Sequence, residues 1–256
     1  RASPTNHTGP RARLSVPALC SERLASQLLA AFDWNLELAL DAFFTNGGLG
    51  DMADGTPPTD TSKIAAIFDR YKDASGEKID VEGTQRLCED LSIAPTDVVL
   101  LVLAWQMQAK VVLEFTREEF TQGMAALGCD SIDALKTKLP RLRASIDDPE
   151  EFRSFYQYAF DYARSSEPGQ KSLALDTAVE MWRLLLTGRF ALIEQWITFL
   201  NEQHKHAIPR DTWALLLEFS TQVRADLSDY DEDGAWPVLL DDFVAWARPK
   251  LISRED

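Results

Sequence analysis

Apolar residues recur along this chain at intervals of three and four with polar positions between them, the spacing of helices that each bury one stripe. The first such stretch predicts a small module over residues 18–46. Leu24, Leu28 and Leu29 share one stripe, a break falls near Phe32-Asp33-Trp34, and Leu36, Leu40, Phe43 and Phe44 form a second stripe. Residues 1–17 hold Pro, Gly, Ser and Arg without a period and are expected to form a disordered arm. Residues 47–60, from Gly47-Gly48 through Pro57-Pro58, read as a linker; no Lys-Ser/Thr pair follows the glycines, so they are not a phosphate loop.

The main domain is expected over residues 61–250. Ile64, Ile67, Phe68 and Tyr71 open it as an amphipathic helix, and Asp73 to Asp80 then reads as a helix-loop-helix turn with a short extended segment at Ile79. Val111 to Phe115 offers a second extended segment that could pair with the first. The run Val98 to Trp105 is apolar on every side, so it belongs inside the protein; a buried helix is the preferred form and a buried strand the rival. Thr116-Arg-Glu-Glu119 is a capping box, and Asp148-Pro149 opens a further helix with Phe152, Phe155, Tyr156, Ala159 and Phe160 inward. Helices are then expected over Leu175 to Leu186, stopped by Gly188, and over Phe190 to Glu202 with Leu192, Ile193, Trp196 and Leu200 inward. Pro209 sits just inside another, with Trp213, Leu216, Leu217 and Val223 on the buried stripe and Asp211, Glu218 and Gln222 outside. Residues 228–237 break the pattern, and Val238 to Ala247 resume it with Leu239, Leu240, Phe243 and Ala247 inward and Asp241 outward. The fold class is therefore all-α, a small N-terminal helical module followed by a larger helical domain.

Composition narrows the possible partners. Acidic side chains outnumber basic ones 41 to 26, a net charge of -15, so nucleic acid and anionic membrane surfaces would repel the chain and a basic protein would attract it. Three cysteines, Cys20, Cys88 and Cys129, are too few and too scattered for a disulfide framework or a thiolate zinc site. No apolar run approaches the ~20 residues needed to span a bilayer. Together these place the protein in the cytoplasm or nucleus, where the Asn6-His7-Thr8 sequon would stay unmodified.

Candidate chemistry is sparse. Asp229-Tyr-Asp231-Glu-Asp233-Gly234 spells the first half of a calcium-binding EF-hand loop, but Pro237 then falls at the ninth place and Leu240 where the bidentate Glu must stand. With Ile79 at the eighth place of an earlier loop, Lys72, Ala74, Gly76 and Gly83 occupy ligand positions; with Leu113 there in its sister, Gln106, Gln108, Lys110 and Arg117 do. Such halves keep an EF-hand-like shape without metal. His204 and His206 lie two apart at a helix end and cannot share a helical face. Cys129 has no neighbouring His, and Asp241-Asp242 diverge by about 100 degrees on a helix. No catalytic constellation, cofactor or metal is expected.

Longer motifs carry a resemblance. Ile-Pro-Arg-Asp211-Thr-Trp213, Tyr-Asp-Glu-Asp-Gly-Ala235-Trp-Pro-Val and Leu-Asp241-Asp-Phe, with Pro-Gly-Gln-Lys, Gly188-Arg-Phe and Leu-Gly-Cys-Asp-Ser-Ile, resemble the defective-in-cullin-neddylation family over about residues 61–250. The resemblance implies an all-helical domain with metal-free EF-hand-like halves. It implies a non-catalytic scaffold that joins a cullin to the conjugating enzyme of neddylation and promotes transfer of the ubiquitin-like modifier to a cullin lysine. Asp211, Ala235 and Asp241 match the family's patch for the cullin winged-helix domain. Val81, Pro95, Leu100, Leu103, Ala104, Phe115, Tyr162 and Leu184 match its apolar pocket for the N-acetylated N-terminus of the conjugating enzyme. The chain departs from the animal members at Thr84, Met107, Val112, Leu113 and Met181, which bear on pocket depth and selectivity. Residues 18–46 look like the last two helices of a ubiquitin-associated-like domain, which implies ubiquitin as a further partner, although Pro10 and Pro17 interrupt the stretch of a first helix. Two other functions fit the same composition: a calcium-binding EF-hand protein, and an acidic helical adaptor for another basic partner.

Overall fold

The computed structural model describes residues 59–165 and 169–252. Chain contacts divide the protein between Pro58 and Thr59, and all described residues belong to the second unit. The expectations for the arm, the module at 18–46 and the linker up to residue 58 lie outside them.

Side chains fix where the helices begin. α1 (Thr61–Tyr71) starts at Asp60, whose carboxylate accepts from the Ser62 and Lys63 amides and leaves Ile64, Phe68 and Tyr71 inward. α2 (Val81–Leu91) is capped by Asp80, α3 (Val98–Gln106) by Asp97 and α4 (Arg117–Ala126) by the reciprocal Thr116–Glu119 box. α6 (Pro149–Arg164) carries Pro149 in its first turn under an Asp148 cap. α7 (Leu175–Leu186) and α8 (Ile193–Phe199) follow, the latter continuing as one π turn over Leu200–His204; α9 (Arg210–Gln222) and α10 (Val238–Ile252) complete the unit. The all-apolar run is a helix, and every residue from Val99 to Trp105 is buried where α6 and the helix Ile132–Ser145 pack against α3.

Four expectations need correction. α5 (Ile132–Ser145) was not predicted; Leu135, Leu139 and Leu142 are its buried stripe, while Pro140 sits inside it on the exposed side. The second strand is Phe115–Thr116 rather than Val111 to Phe115: it pairs antiparallel with β1 (Lys78–Ile79), Ile79 opposite Phe115. Residues 111–114 fold into a tight turn, with the Glu114 amide on the Val111 carbonyl at 3.2 Å and Leu113 at φ +57, so Leu113 cannot be the paired residue. The helix expected from Phe190 starts at Ile193 and changes pitch at Leu200. Pro209 stands immediately before α9 with extended backbone, and Val223 ends it as a half-buried extended residue instead of extending the stripe.

Most of the aromatic stacking lies among α6 to α10. Trp213 is stacked between Tyr156 and Trp182, with ring centroids 4.6 and 5.1 Å away, and Trp182 meets Trp196 edge-on. Burial of the Tyr156, Trp182 and Trp213 polar tips is offset by hydrogen bonds: Trp182 Nε1 donates to the Tyr156 hydroxyl at 2.7 Å, which donates to the Trp213 carbonyl at 3.0 Å, and Trp213 Nε1 returns to the Tyr156 carbonyl. This stack fixes the angle between α6, α7 and α9, the frame on which the acidic surface is built.

Candidate functional site

The loops with EF-hand shape are sealed against metal by their own geometry. Because Ile79 pairs with Phe115, the eighth place of the second loop moves from Leu113 to Phe115, which brings Glu119 to the twelfth place. That carboxylate is already committed, accepting from the Thr116 amide at 2.9 Å in the capping box, and Gln108, Lys110 and Val112 supply no carboxylate to the earlier places. At the first loop's twelfth place, a side chain on Gly83 would collide with the Tyr71 carbonyl oxygen. No group of three or more His, Cys, Asp or Glu able to hold a metal occurs among the described residues.

The acidic turn between α9 and α10 spends most of its carboxylates on its own backbone. Asp226 accepts from Ser228, Asp229 from the Arg224 amide at 2.9 Å and Asp231 from the Asp233 amide at 3.0 Å, so these acids shape the loop. The Ser228 hydroxyl, foremost among these bonds, holds the Asp226 carboxyl below the usual range. Glu232 pairs with Arg248 of α10. Three residues singled out from the sequence remain for a partner. Asp211 lies exposed on the first turn of α9, Ala235 lies exposed in the loop, and Asp241 lies half-buried on the first turn of α10.

What ties Ala235 to Asp241 is an aromatic cluster that the sequence reading passed over. Tyr230, buried, donates its hydroxyl to Asp241 Oδ1 and stacks at 6.2 Å on Trp236, the neighbour of Ala235; both rings meet Phe219 of α9 edge-on at 5.8 Å. Burial first, and then the bond to Asp241, pushes the Tyr230 phenol well above its ordinary range, so it stays a donor at any physiological pH. Asp211 is not part of this cluster: roughly 12 Å of helix separates it from Phe219. The available signal was a tyrosine inside an acidic run, one helical span before Asp241.

The eight apolar candidates divide by depth. Val81 (51% exposed) and Pro95 are at the surface, and Leu184, with Met181, lies half-buried on α7. Leu100, Leu103, Ala104, Phe115 and Tyr162 are inside the core, Leu103 and Ala104 with no exposure at all. Three side chains lock this region: the Thr84 hydroxyl donates to the Leu113 carbonyl at 2.8 Å, the Leu113 amide donates to the Tyr162 hydroxyl at 2.9 Å, and the Val112 amide donates to Ser165 Oγ at 3.2 Å. Burial pushes the Tyr162 phenol up to about 12. Met107 is buried against Gly123, where no side chain would fit. The expected pocket residues thus follow a seam of mixed depth between α2, the 111–114 turn and α6, while a hollow of about 320 Å³ lies elsewhere, between α8 and α10, beside Glu194, Trp246 and Lys250.

Cys88 and Cys129 are buried, and burial pushes the Cys88 thiol up to about 11, far from a reactive thiolate. His204 and His206 rings meet edge-on at 5.4 Å; burial, then its neighbour His206, holds His204 below the ordinary imidazole value.

A family model described as "Cullin binding" matches residues 134–246, and one described as "UBA-like domain" matches residues 18–50. The "DCN1-like protein 5" of Homo sapiens is 39% identical over 202 residues, covering 79% of this chain and 84% of that protein. That of Rattus norvegicus is 42% identical over the same shares, and the "DCN1-like protein 3" of Xenopus tropicalis is 36% identical over 209 residues, 80% of this chain and 69% of its own.

Proposed function

We infer the function from one premise: this chain belongs to the DCN1-like, cullin-binding family. It is a cullin neddylation scaffold, an accessory factor that promotes transfer of the ubiquitin-like modifier to the cullin. Its finer workings are our proposal. The reaction chemistry belongs to the conjugating enzyme, and this chain contributes position: holding both partners raises the effective concentration of thioester and lysine.

The observation that carries the cullin assignment is the state of Asp211, Ala235 and Asp241. Asp211 and Ala235 are exposed and Asp241 is half-buried, beside a loop in which Asp226, Asp229 and Asp231 accept from their own backbone and Glu232 pairs with Arg248. We assign them to the cullin winged-helix domain. Two carboxylates flanking a small residue suit Lys or Arg side chains that must come close. Calorimetric titration of the protein with that domain, repeated with Asp241→Lys, tests the assignment. Tight binding by the wild type and none by the variant supports it; equal binding by both moves the interface elsewhere, and absence of binding by both leaves an acidic adaptor for another basic partner.

For the N-acetylated N-terminus of the conjugating enzyme we propose entry at Val81 and Pro95, with Leu100, Leu103, Ala104, Phe115, Tyr162 and Leu184 exposed as the seam opens. Opening costs the hydrogen bonds of Thr84, Leu113 and Tyr162, so apparent affinity falls by the fraction of molecules that are open. Thr84, Met107, Val112, Leu113 and Met181 set how deep the opened seam becomes. We also propose that the module at residues 18–46 binds ubiquitin, and that the protein acts in the cytoplasm and nucleus.

A further inference from the structure

The entry to α10 carries five apolar residues in a row, Ala235-Trp236-Pro237-Val238-Leu239, and none of them is buried. Val238 is 73% exposed, the highest value for a large hydrophobic residue in the described chain. It opens α10, whose Leu240, Phe243, Val244 and Ala247 turn inward, and Asp241 and Asp242 follow three and four residues later on the same face as Val238. On the other flank Asp231, Glu232 and Asp233 are exposed. An apolar run flanked by carboxylates on both sides has the anatomy of an interface, a centre that can be dried and a charged rim. Single surface valines are ordinary, but a continuous apolar run is not. The run is also firm: Trp236 packs on Tyr230 and Phe219, and the β-branched Val238 has one stiff torsion, so little freedom is lost when a partner settles on it.

From this arrangement we propose that Val238 is the apolar anchor of the cullin-binding patch, seated against an apolar side chain of the cullin winged-helix domain while Asp241 meets a cation beside it. The acidic rim argues against other occupants. A second copy docking through the same face would set carboxylates against carboxylates in a chain of net charge -15, and an anionic membrane would meet the same repulsion. The face that fits is an apolar side chain ringed by Lys or Arg. Charge and valine then have separate parts: the carboxylates draw the partner in and set its register, and burial of Val238 slows its departure. The inference rests on the assignment of Asp211, Ala235 and Asp241 to the cullin, and adds the residue that supplies a salt-independent part of the affinity.

The test titrates the whole chain and its Val238→Ala, Asp241→Lys and Val111→Ala variants with the cullin winged-helix domain at low and at high salt. Val238→Ala should weaken binding about tenfold, the effect of the two methyl groups no longer buried. That factor should persist at high salt, where the loss caused by Asp241→Lys shrinks, because ions screen charges and leave apolar contact in place. Val111 is the same residue type, 44% exposed but outside the patch, and its truncation should leave cullin binding unchanged. The thermal midpoint of Val238→Ala should match that of the wild type within about 2 °C, since the side chain already stands mostly in water. Two outcomes overturn the proposal: binding by Val238→Ala within twofold of wild type, and a loss that fades with salt as that of Asp241→Lys does. If Asp241→Lys abolishes binding while Val238→Ala leaves it intact, the interface assignment stands and this inference fails; a wild type that binds no cullin domain overturns both.

Discussion

The acidic face at α9 and α10 and the apolar seam between α2, α3 and α6 are given the same task, gripping a partner, yet they stand in opposite states. Asp211, Ala235 and Asp241 are open before binding, with one carboxylate already oriented; five of the eight seam residues are in the core. Charge explains the difference. An unpaired carboxylate is stable only in water, so a charged site must lie at the surface, whereas an apolar pocket left empty loses contacts and tends to collapse. Here the charged candidates stand at or near the surface, while most of the apolar ones lie beneath it.

The contrast is sharpest at Phe115, which serves as both strand partner of Ile79 and seam residue. Phe115→Ala should cost about 3–5 kcal/mol of stability, measured by urea denaturation, because the ring has 1% exposure and edge contacts to Phe120. A loss below about 1 kcal/mol would mean that the seam is already open in solution. Asp241→Lys should remove about 2–5 kcal/mol of cullin binding while leaving the thermal midpoint nearly unchanged. A large fall in that midpoint would show that the acidic face is structural rather than open for a partner.

Smaller effects probe the latch. Thr84→Val deletes the hydroxyl that donates to the Leu113 carbonyl and should destabilise the protein by about 1 kcal/mol. If that bond holds the seam closed, hydrogen exchange at residues 111–114 should speed up in the variant; unchanged exchange would place the latch elsewhere. Val81→Ala should shift stability by less than about 0.5 kcal/mol, its side chain being half in water, and weaken only the binding of the conjugating enzyme's N-terminus. Equal peptide binding by wild type and variant would remove Val81 from the entry route.

How much of this could be read from the residues follows the same physical line. Caps and charges are local, so Asp60, Asp97, the Thr116–Glu119 box, Asp148-Pro149 and the acidic patch were legible one by one. α3 was legible as buried because its apolar residues leave no polar face. α5 was missed since Pro140 and its cations Lys136, Lys138, Arg141 and Arg143 masked the Leu135, Leu139, Leu142 stripe. The strand register escaped because the left-handed turn at Leu113 is imposed by tertiary bonds to Thr84 and Tyr162, not by its own preference. Pocket and core residues share one chemistry, so no spacing rule separates Val81 from Leu103, and Tyr230 shows its role only once a hydroxyl meets a carboxylate in space.

The aromatic stack has an optical consequence. Of the seven tryptophans, Trp182, Trp196, Trp213, Trp236 and Trp246 all lie between α7 and α10, and Trp105 alone among the described residues stands in α3. Five of the six tryptophans among the described residues therefore label the acidic half, with Trp236 half-buried beside Ala235 where a partner would dock. A protein landing on that face should announce itself as a change in emission colour.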